Sequence, residues 1–301
     1  MYRPNSYRLI FFCAVILNAL IVAHSQTSTA ATDWKPVEEA MGRTGQVAGE
    51  VIRFAMPRKD LHVTLEGVEI KPALALGSWA AFKKDGHGAM VMGDLVLTEA
   101  ELQPVMSKLQ EGGIQESAVH NHLVGESPRV LYMHISSQGD AVKMAKAIRD
   151  ALSLTHTPPP DATAAPSTTS ELGFDQKQVE QALGHSGKVN GGVLQIGVPR
   201  SENITESGMA IPPSMGVATA LNFQPTDNGK AAVTGDFVLL SAEVNPVIKT
   251  LRQNGIEVTA LHSHMLTEEP RLFFMHFWAN DDAVRLAKAL RAALDQTRSA
   301  K

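Results

Sequence analysis

HNHLVGESPRVLYMH, from His120 to His134, and HSHMLTEEPRLFFMH, from His262 to His276, are one stretch written twice. Both fit His-x-His-x-x-x-Glu-x-Pro-Arg-x-x-x-x-His, so six histidines and two glutamates fall in two equivalent settings. Gly125, Ser127 and Pro128 are turn formers between apolar and aromatic flanks, which predicts a β-hairpin with strands over Ser117 to Leu123 and Arg129 to Ser136. Side chains alternate faces along a strand, so His120 and His122 share a face. If the hairpin pairs symmetrically about Glu126, residue 120 lies opposite residue 132 and His134 comes to that same face. Three imidazoles then converge, with Glu126 at the rim of the turn. A register shifted by one residue would send His134 to the other side. The second copy makes the same prediction for His262, His264, Glu268 and His276.

The chain matches itself at an offset of 142: Gly42 with Gly184, Pro57-Arg58 with Pro199-Arg200, Gly93-Asp94 with Gly235-Asp236, Asp140-Ala141-Val142 with Asp282-Ala283-Val284. One residue of slippage occurs between these, where Ile70 to Phe82 aligns best with Ile211 to Phe223. Two long units are a duplication, not a solenoid of many short ones. The expected organisation is repeat 1 over 34–153, a linker over 154–173 rich in Pro, Thr and Ala, and repeat 2 over 174–298.

Each unit opens on a short helix closed by glycine, Lys35 to Gly42 and Gln176 to Gly184. Alternating, β-branched runs follow over Gly49 to Phe54, Leu61 to Ile70, Leu74 to Phe82 and Ala89 to Leu97. A helix comes next, capped by Thr98 with Glu101 in repeat 1 and by Ser241 in repeat 2, and stopped at Gly112-Gly113-Ile114 and Asn254-Gly255-Ile256. After the histidine hairpin, Asp140 and Asp282 cap a last helix whose apolar stripe in repeat 1 is Val142, Ala145, Ile148 and Leu152. Strands joined by short turns favour antiparallel pairing. The predicted fold is α+β: two homologous repeats, each a mostly antiparallel sheet with helices packed on one face.

The first 25 residues read as a secretory signal peptide: Arg3 and Arg8, an apolar run over Leu9 to Ala23, and Ala23-His24-Ser25 before Gln26. An apolar run of about fifteen residues is short for a membrane span of roughly twenty, so no stable span is expected after cleavage. Cys13 is the only cysteine, so the mature chain would have neither disulfides nor thiolate ligands. With 44% apolar and 19% charged residues the composition is that of a globular protein. Its net charge of -4 would become about -6 once the two signal arginines are removed, which argues against a nucleic-acid partner.

Three neutral imidazoles and a carboxylate suit zinc, manganese, iron, nickel or copper, and with an open position such a site can be catalytic. The candidate metal ligands are His120, His122, Glu126 and His134 in repeat 1 and His262, His264, Glu268 and His276 in repeat 2. The spacing is superficially similar to the first cupin motif, but here the last histidine lies on the returning strand of the same hairpin. Arg58, Arg129, Arg200 and Arg271, each after a proline, are expected to pair with acids. Asp94 and Asp236, each after a glycine, read first as turn or bulge residues, with reach to the histidine site as the lesser reading.

The strings GVEIKPALALGSWAAF, MGDLVLTEAELQPVM, AVHNHLVGESPRVLYMH, TGDFVLLSAEVNPVI and TALHSHMLTEEPRLFFMHFWANDDA resemble the LppY/LpqO-like family of exported bacterial proteins. The resemblance covers nearly the whole chain after the leader except the linker. That family is defined by a domain of unknown function, so it implies a bacterial, exported (periplasmic or secreted), duplicated protein and brings no catalytic residues. Some members look like lipoproteins, whereas Ile10-Phe11-Phe12 before Cys13 lacks the small residues of a lipobox.

The leading reading is thus an exported protein that binds a transition metal through one His/Glu hairpin per repeat, with room for a metalloenzyme and a small-molecule ligand. Two alternatives stand beside it: a metal-free binding or envelope-structural module with packing histidines, and an enzyme using histidines as general acid and base.

Overall fold

The computed structural model describes Met1 and residues 33–86, 88–159, 172–227 and 229–299. Residues 2–25 of the leader read over 1–25 and residues 160–171 of the linker lie outside the described residues. Repeat 1 runs α1 (Lys35–Met41), β1 (Gln46–Ala48), β2 (Val51–Pro57), β3 (Thr64–Leu65), β4 (Val68–Glu69), β5 (Gly77–Asp85), β6 (Gly88–Thr98), α2 (Glu99–Glu111), β7 (Glu116–His120), β8 (Val130–Gly139) and α3 (Ala141–Leu152). Repeat 2 runs α4 (Gln176–Leu183), β9 (Lys188–Asn190), β10 (Val193–Pro199), β11 (Thr205–Glu206), β12 (Met209–Ala210), a 3-10 turn at Pro213–Met215, β13 (Ala218–Pro225), β14 (Lys230–Leu239), α5 (Ser241–Gln253), β15 (Glu257–His262), β16 (Phe273–Asp282) and α6 (Ala283–Leu294).

Each repeat forms a six-stranded sheet of the same order, β1-β2-β5-β6-β8-β7 and β9-β10-β13-β14-β16-β15, with every pairing antiparallel. The one-residue slip between the repeats falls where expected: Phe82 pairs Ile52 and Val91, and Phe223 pairs Leu194 and Val233.

Strand alternation sorts the side chains into two faces. Ile52, Phe54, Phe82, Val91, Leu95, Met133 and Ile135 pack on the helices of repeat 1 in one core, and the equivalent set fills a core confined to repeat 2. The opposite faces pack on each other. One shared core joins Val51, Met90 and Met92 to Ile211, Met215, Val238, Leu272 and Phe274. The other joins Ile70, Leu74, Val96, Val130 and Tyr132 to Val193, Ala232 and Trp278. The two lists exchange under the repeat offset (Val51 for Val193, Val96 for Val238, Tyr132 for Phe274), so a pseudo-two-fold axis relates the repeats. The layers are helices, sheet, sheet, helices.

The local expectations mostly hold. Thr98 N–H donates to Glu101 in the capping box, Asp140 and Asp282 accept the N–H groups of Lys143 and Arg285, and Ile114 and Ile256 N–H reach back to Leu109 and Leu251. Three differ. Leu240, not Ser241, is the N-cap of α5; its N–H meets Glu243 at 2.7 Å, so the carboxylate half of the box persists without a hydroxyl. Leu61 to Ile70 is not one strand but the minimal hairpin β3-β4, because Glu66 and Gly67 both adopt positive φ (50° and 80°), a primed turn that folds the run on itself. Val142 is exposed at 41%, and Met144 and Ala147 join the buried side of α3 instead.

Arg58 and Arg200 do pair with acids, each at the same place in its repeat. Arg58 is fully buried and meets Glu101 at 2.9 and 3.1 Å, Asp60, and the Val96 carbonyl at 2.6 Å. Glu101 in turn accepts His156 N–H beyond α3. Arg200, Glu243, Glu202 and Val238 repeat the arrangement. Arg58→Met would leave Glu101 buried without its cation. It should cost about 3–5 kcal/mol in urea unfolding, whereas Arg129→Met, at an exposed pair with Glu99, should cost below about 1 kcal/mol. Equal losses would contradict this assignment.

Candidate functional site

The histidine hairpins pair in the register the alternation predicted. His120 lies opposite Tyr132 and Ala118 opposite His134; His262 lies opposite Phe274 and Ala260 opposite His276. That parity puts His120 and His134 on the sheet face turned toward the other repeat, beside Val130 and Tyr132. β7 and β15 are edge strands and meet their counterparts across the axis: Ser117 Oγ donates to the His264 carbonyl and Thr259 Oγ1 to the His122 carbonyl, both at 2.5 Å.

The two triads therefore adjoin. His120 and His262 stack across the axis with centroids 3.5 Å apart. The pairs on either side of them, His134 with His264 and His122 with His276, stack at 3.6 and 3.7 Å. Nitrogen atoms of His120, His122 and His134 lie within 4.8 Å of one another, and so do those of His120, His262, His264 and His276; either group could hold a metal ion. One six-histidine cluster thus replaces the two separate sites expected. Tyr132 stacks on His122 at 3.4 Å and Phe274 on His264 at 3.6 Å, so the rings are clamped by aromatic neighbours.

The carboxylates in the cluster are not the expected ones. Glu126 accepts from Asn121 at 3.3 Å; Glu268 accepts from Leu272 N–H at 2.9 Å and meets Arg271 at 3.3 Å. Both glutamates tie down the turn, because the chain leaves the ladder after His120 and His262 and strand parity no longer governs residues 126 and 268. Asp94 and Asp236 take their place. They lie mid-strand on β6 and β14, opposite His134 and His276. Asp94 approaches His122 at 3.8 Å and His134 at 3.9 Å, and Asp236 approaches His264 at 3.7 Å. The signal was available: an acid at the parity of Met90, Met92 and Val96, repeated at the offset. The preceding glycines are needed for close strand approach. A Cβ at Gly93 would stand 2.7 Å from the Trp79 carbonyl, and one at Gly235 would overlap the Ala220 carbonyl. Gly235 also accepts from His276 Nδ1 at 2.8 Å, which leaves Nε2 as the lone-pair nitrogen.

Burial sets the electrostatics. It holds His120 down to about 4 and His262 down to about 3, and it lowers the other four well below the usual histidine value, with the neighbouring imidazoles adding to the effect on those four. All six are neutral at pH 7. Burial pushes Asp94 up to about 8, against the pull of Arg53, and raises Asp236 well above the carboxylate range with a further contribution from Asp94. The Nε2 atoms of all six rings, and Oδ1 of both aspartates, are buried with no hydrogen-bond partner among the described residues. Neutral imidazole lone pairs beside two carboxylates fit a divalent transition metal.

Two solved structures align at low similarity. One is a trimeric bacterial microcompartment shell protein, PduB, at 14% identity over 83% of this chain and 88% of that one. The other is EtuB from Clostridium kluyveri, at 10% identity over 83% and 90%. Each has a TM-score of 0.19, too low to carry a structural argument. No curated protein matches the sequence. A family model described as Domain of Unknown Function (DUF1259) matches twice, over residues 35–154 and 177–296. With both repeats matched, the chain belongs to the DUF1259 family.

Proposed function

We propose that this protein binds a first-row transition metal in a centre shared by its two repeats, with the six hairpin histidines as nitrogen donors and Asp94 and Asp236 as the adjoining carboxylates. The observation that carries the reading is the set of neutral imidazoles whose buried Nε2 atoms have no partner among the described residues. A buried nitrogen left without a partner costs free energy, and packing alone would favour apolar side chains at these positions. The donor set is imidazole with carboxylate and no thiolate, which suits zinc, copper, nickel, iron or manganese rather than magnesium or calcium. Asp94 and Asp236 replace Glu126 and Glu268 in this role. The likeness to LppY/LpqO-like proteins and the leader-like first 25 residues support an exported, bacterial setting, where the mature chain would begin at Gln26.

Elemental analysis tests the reading on protein expressed with its leader and purified without a histidine tag. Stoichiometric transition metal, lost in the His120→Ala/His262→Ala double variant, is expected. A folded protein that holds none after incubation with zinc, copper and manganese would refute it. N-terminal sequencing should begin at Gln26; an intact leader would contradict export with cleavage.

The metal-free protein should also show a specific pH dependence. Lowered histidine pKa values mean that, below about 6.5, the unfolded chain takes up protons that the folded chain refuses. The histidine contribution is complete above about pH 6.5 and is lost as pH falls toward 4. The raised aspartates act oppositely: their contribution is present below about pH 4 and is lost as pH rises through about 8. Six groups outweigh two in the acid window, so Tm should fall between pH 6.5 and 4.5. A flat or rising Tm there would contradict the buried neutral cluster.

A further inference from the structure

Duplication gave the two triads the same residues, yet their surroundings differ in ways that bear on metal binding. Resting on the metal-binding reading above, we propose that the centre holds two ions in unlike sites. His120, His262, His264 and His276 form a closed four-imidazole site. His122, His134 and Asp94 form an open site that takes water or a small anion.

Three observations break the symmetry in this direction. First, the nitrogen atoms of His120 reach those of the whole second triad within 4.8 Å. If His120 is used there, His122 and His134 remain for the other ion. Second, Asp94 lies near both of these, Oδ2 at 3.8 Å from His122 Nε2 and Oδ1 at 3.9 Å from His134 Nε2. On the other side, the one histidine that Asp236 approaches among the described residues is His264, at 3.7 Å. Two imidazoles and a carboxylate on one face of an ion leave coordination positions open, whereas four imidazoles complete a tetrahedron.

Third, the strands behind the two aspartates differ in charge. Arg53 donates to the Ser214 carbonyl at 2.9 Å and stacks 3.7 Å over Trp79, the strand partner of Asp94. The equivalent residue in repeat 2, Gln195, donates to the Ala73 carbonyl at 2.6 Å, so the backbone contact is kept and the charge is not. Ala220 stands where Trp79 stands in repeat 1 and pairs Asp236. A fixed guanidinium on the Asp94 side favours an anionic carboxylate there and lowers the affinity of that side for a cation, so the four-imidazole site should fill first.

Cobalt(II) titration of the tag-free, metal-stripped full chain tests this. The first equivalent should give the intense visible absorption of four-coordinate cobalt, and the second the weak bands of higher coordination. Azide should shift only the second set. Asp94→Asn should lose the second equivalent and keep the first. No bound cobalt would refute both this proposal and the metal-binding reading beneath it. One equivalent in all, two spectroscopically identical equivalents, or loss of the second in Asp236→Asn but not in Asp94→Asn would overturn the two-site proposal while metal binding stands. The wild-type spectra decide the matter even if a variant fails to fold.

Discussion

Each sheet has two apolar faces and enough helix to cover one. α1, α2 and α3 bury one face of the first sheet, α4, α5 and α6 bury one face of the second, and the remaining faces can leave water only against each other. That constraint accounts for the pseudo-two-fold axis. It also brings the edge strands β7 and β15 together, where Ser117 and Thr259 reach across to the opposite hairpin. A single repeat would leave its histidine face open to solvent. Joined, the repeats enclose six imidazoles that neither could bury alone.

A polar cluster between two sheets is an unfavourable way to fill a core. Buried nitrogen and oxygen atoms without partners cost roughly 1–3 kcal/mol each, and Met, Leu or Phe would pack the same volume without that loss. The surroundings hold the rings in place instead of satisfying them. Tyr132 and Phe274 stack on His122 and His264, the Gly235 carbonyl fixes the His276 tautomer, and Gly93 and Gly235 let neighbouring strands come close behind the aspartates. Conflicts between local packing and global stability are expected where a chain has a task to perform. Among the described residues most of the buried side-chain atoms without a partner lie in this cluster, whereas the buried Arg58 and Arg200 are paired with Glu101 and Glu243.

Much of this was legible in the sequence. The repeat offset, its one-residue slip, the hairpin register and the placing of His120 and His134 on one face follow from alternation and turn chemistry, because those depend on local geometry alone, whereas the expected strand to Leu123 ends at His120 and leaves His122 beyond the ladder. What was not legible depends on contacts between distant segments. Nothing in His120 or His262 announces that the two rings stack on each other, since a sequence does not state which faces of two copies meet. Glu126 and Glu268 looked like ligands because they sit midway between the histidines, but a turn breaks the parity that would have aimed them inward. Asp94 and Asp236 looked like turn residues because each follows a glycine. The glycine reports a close strand contact, which only the sheet order reveals.

The proposed metal centre belongs to both repeats at once. Anomalous diffraction at the absorption edge of the bound metal, on crystals of the tag-free protein, tests it most directly. Anomalous density is expected between the hairpins, beside the stacked pair His120 and His262, with imidazoles of both repeats as ligands. Metal held by residues of one repeat alone, with the histidines of the other unligated, would contradict it.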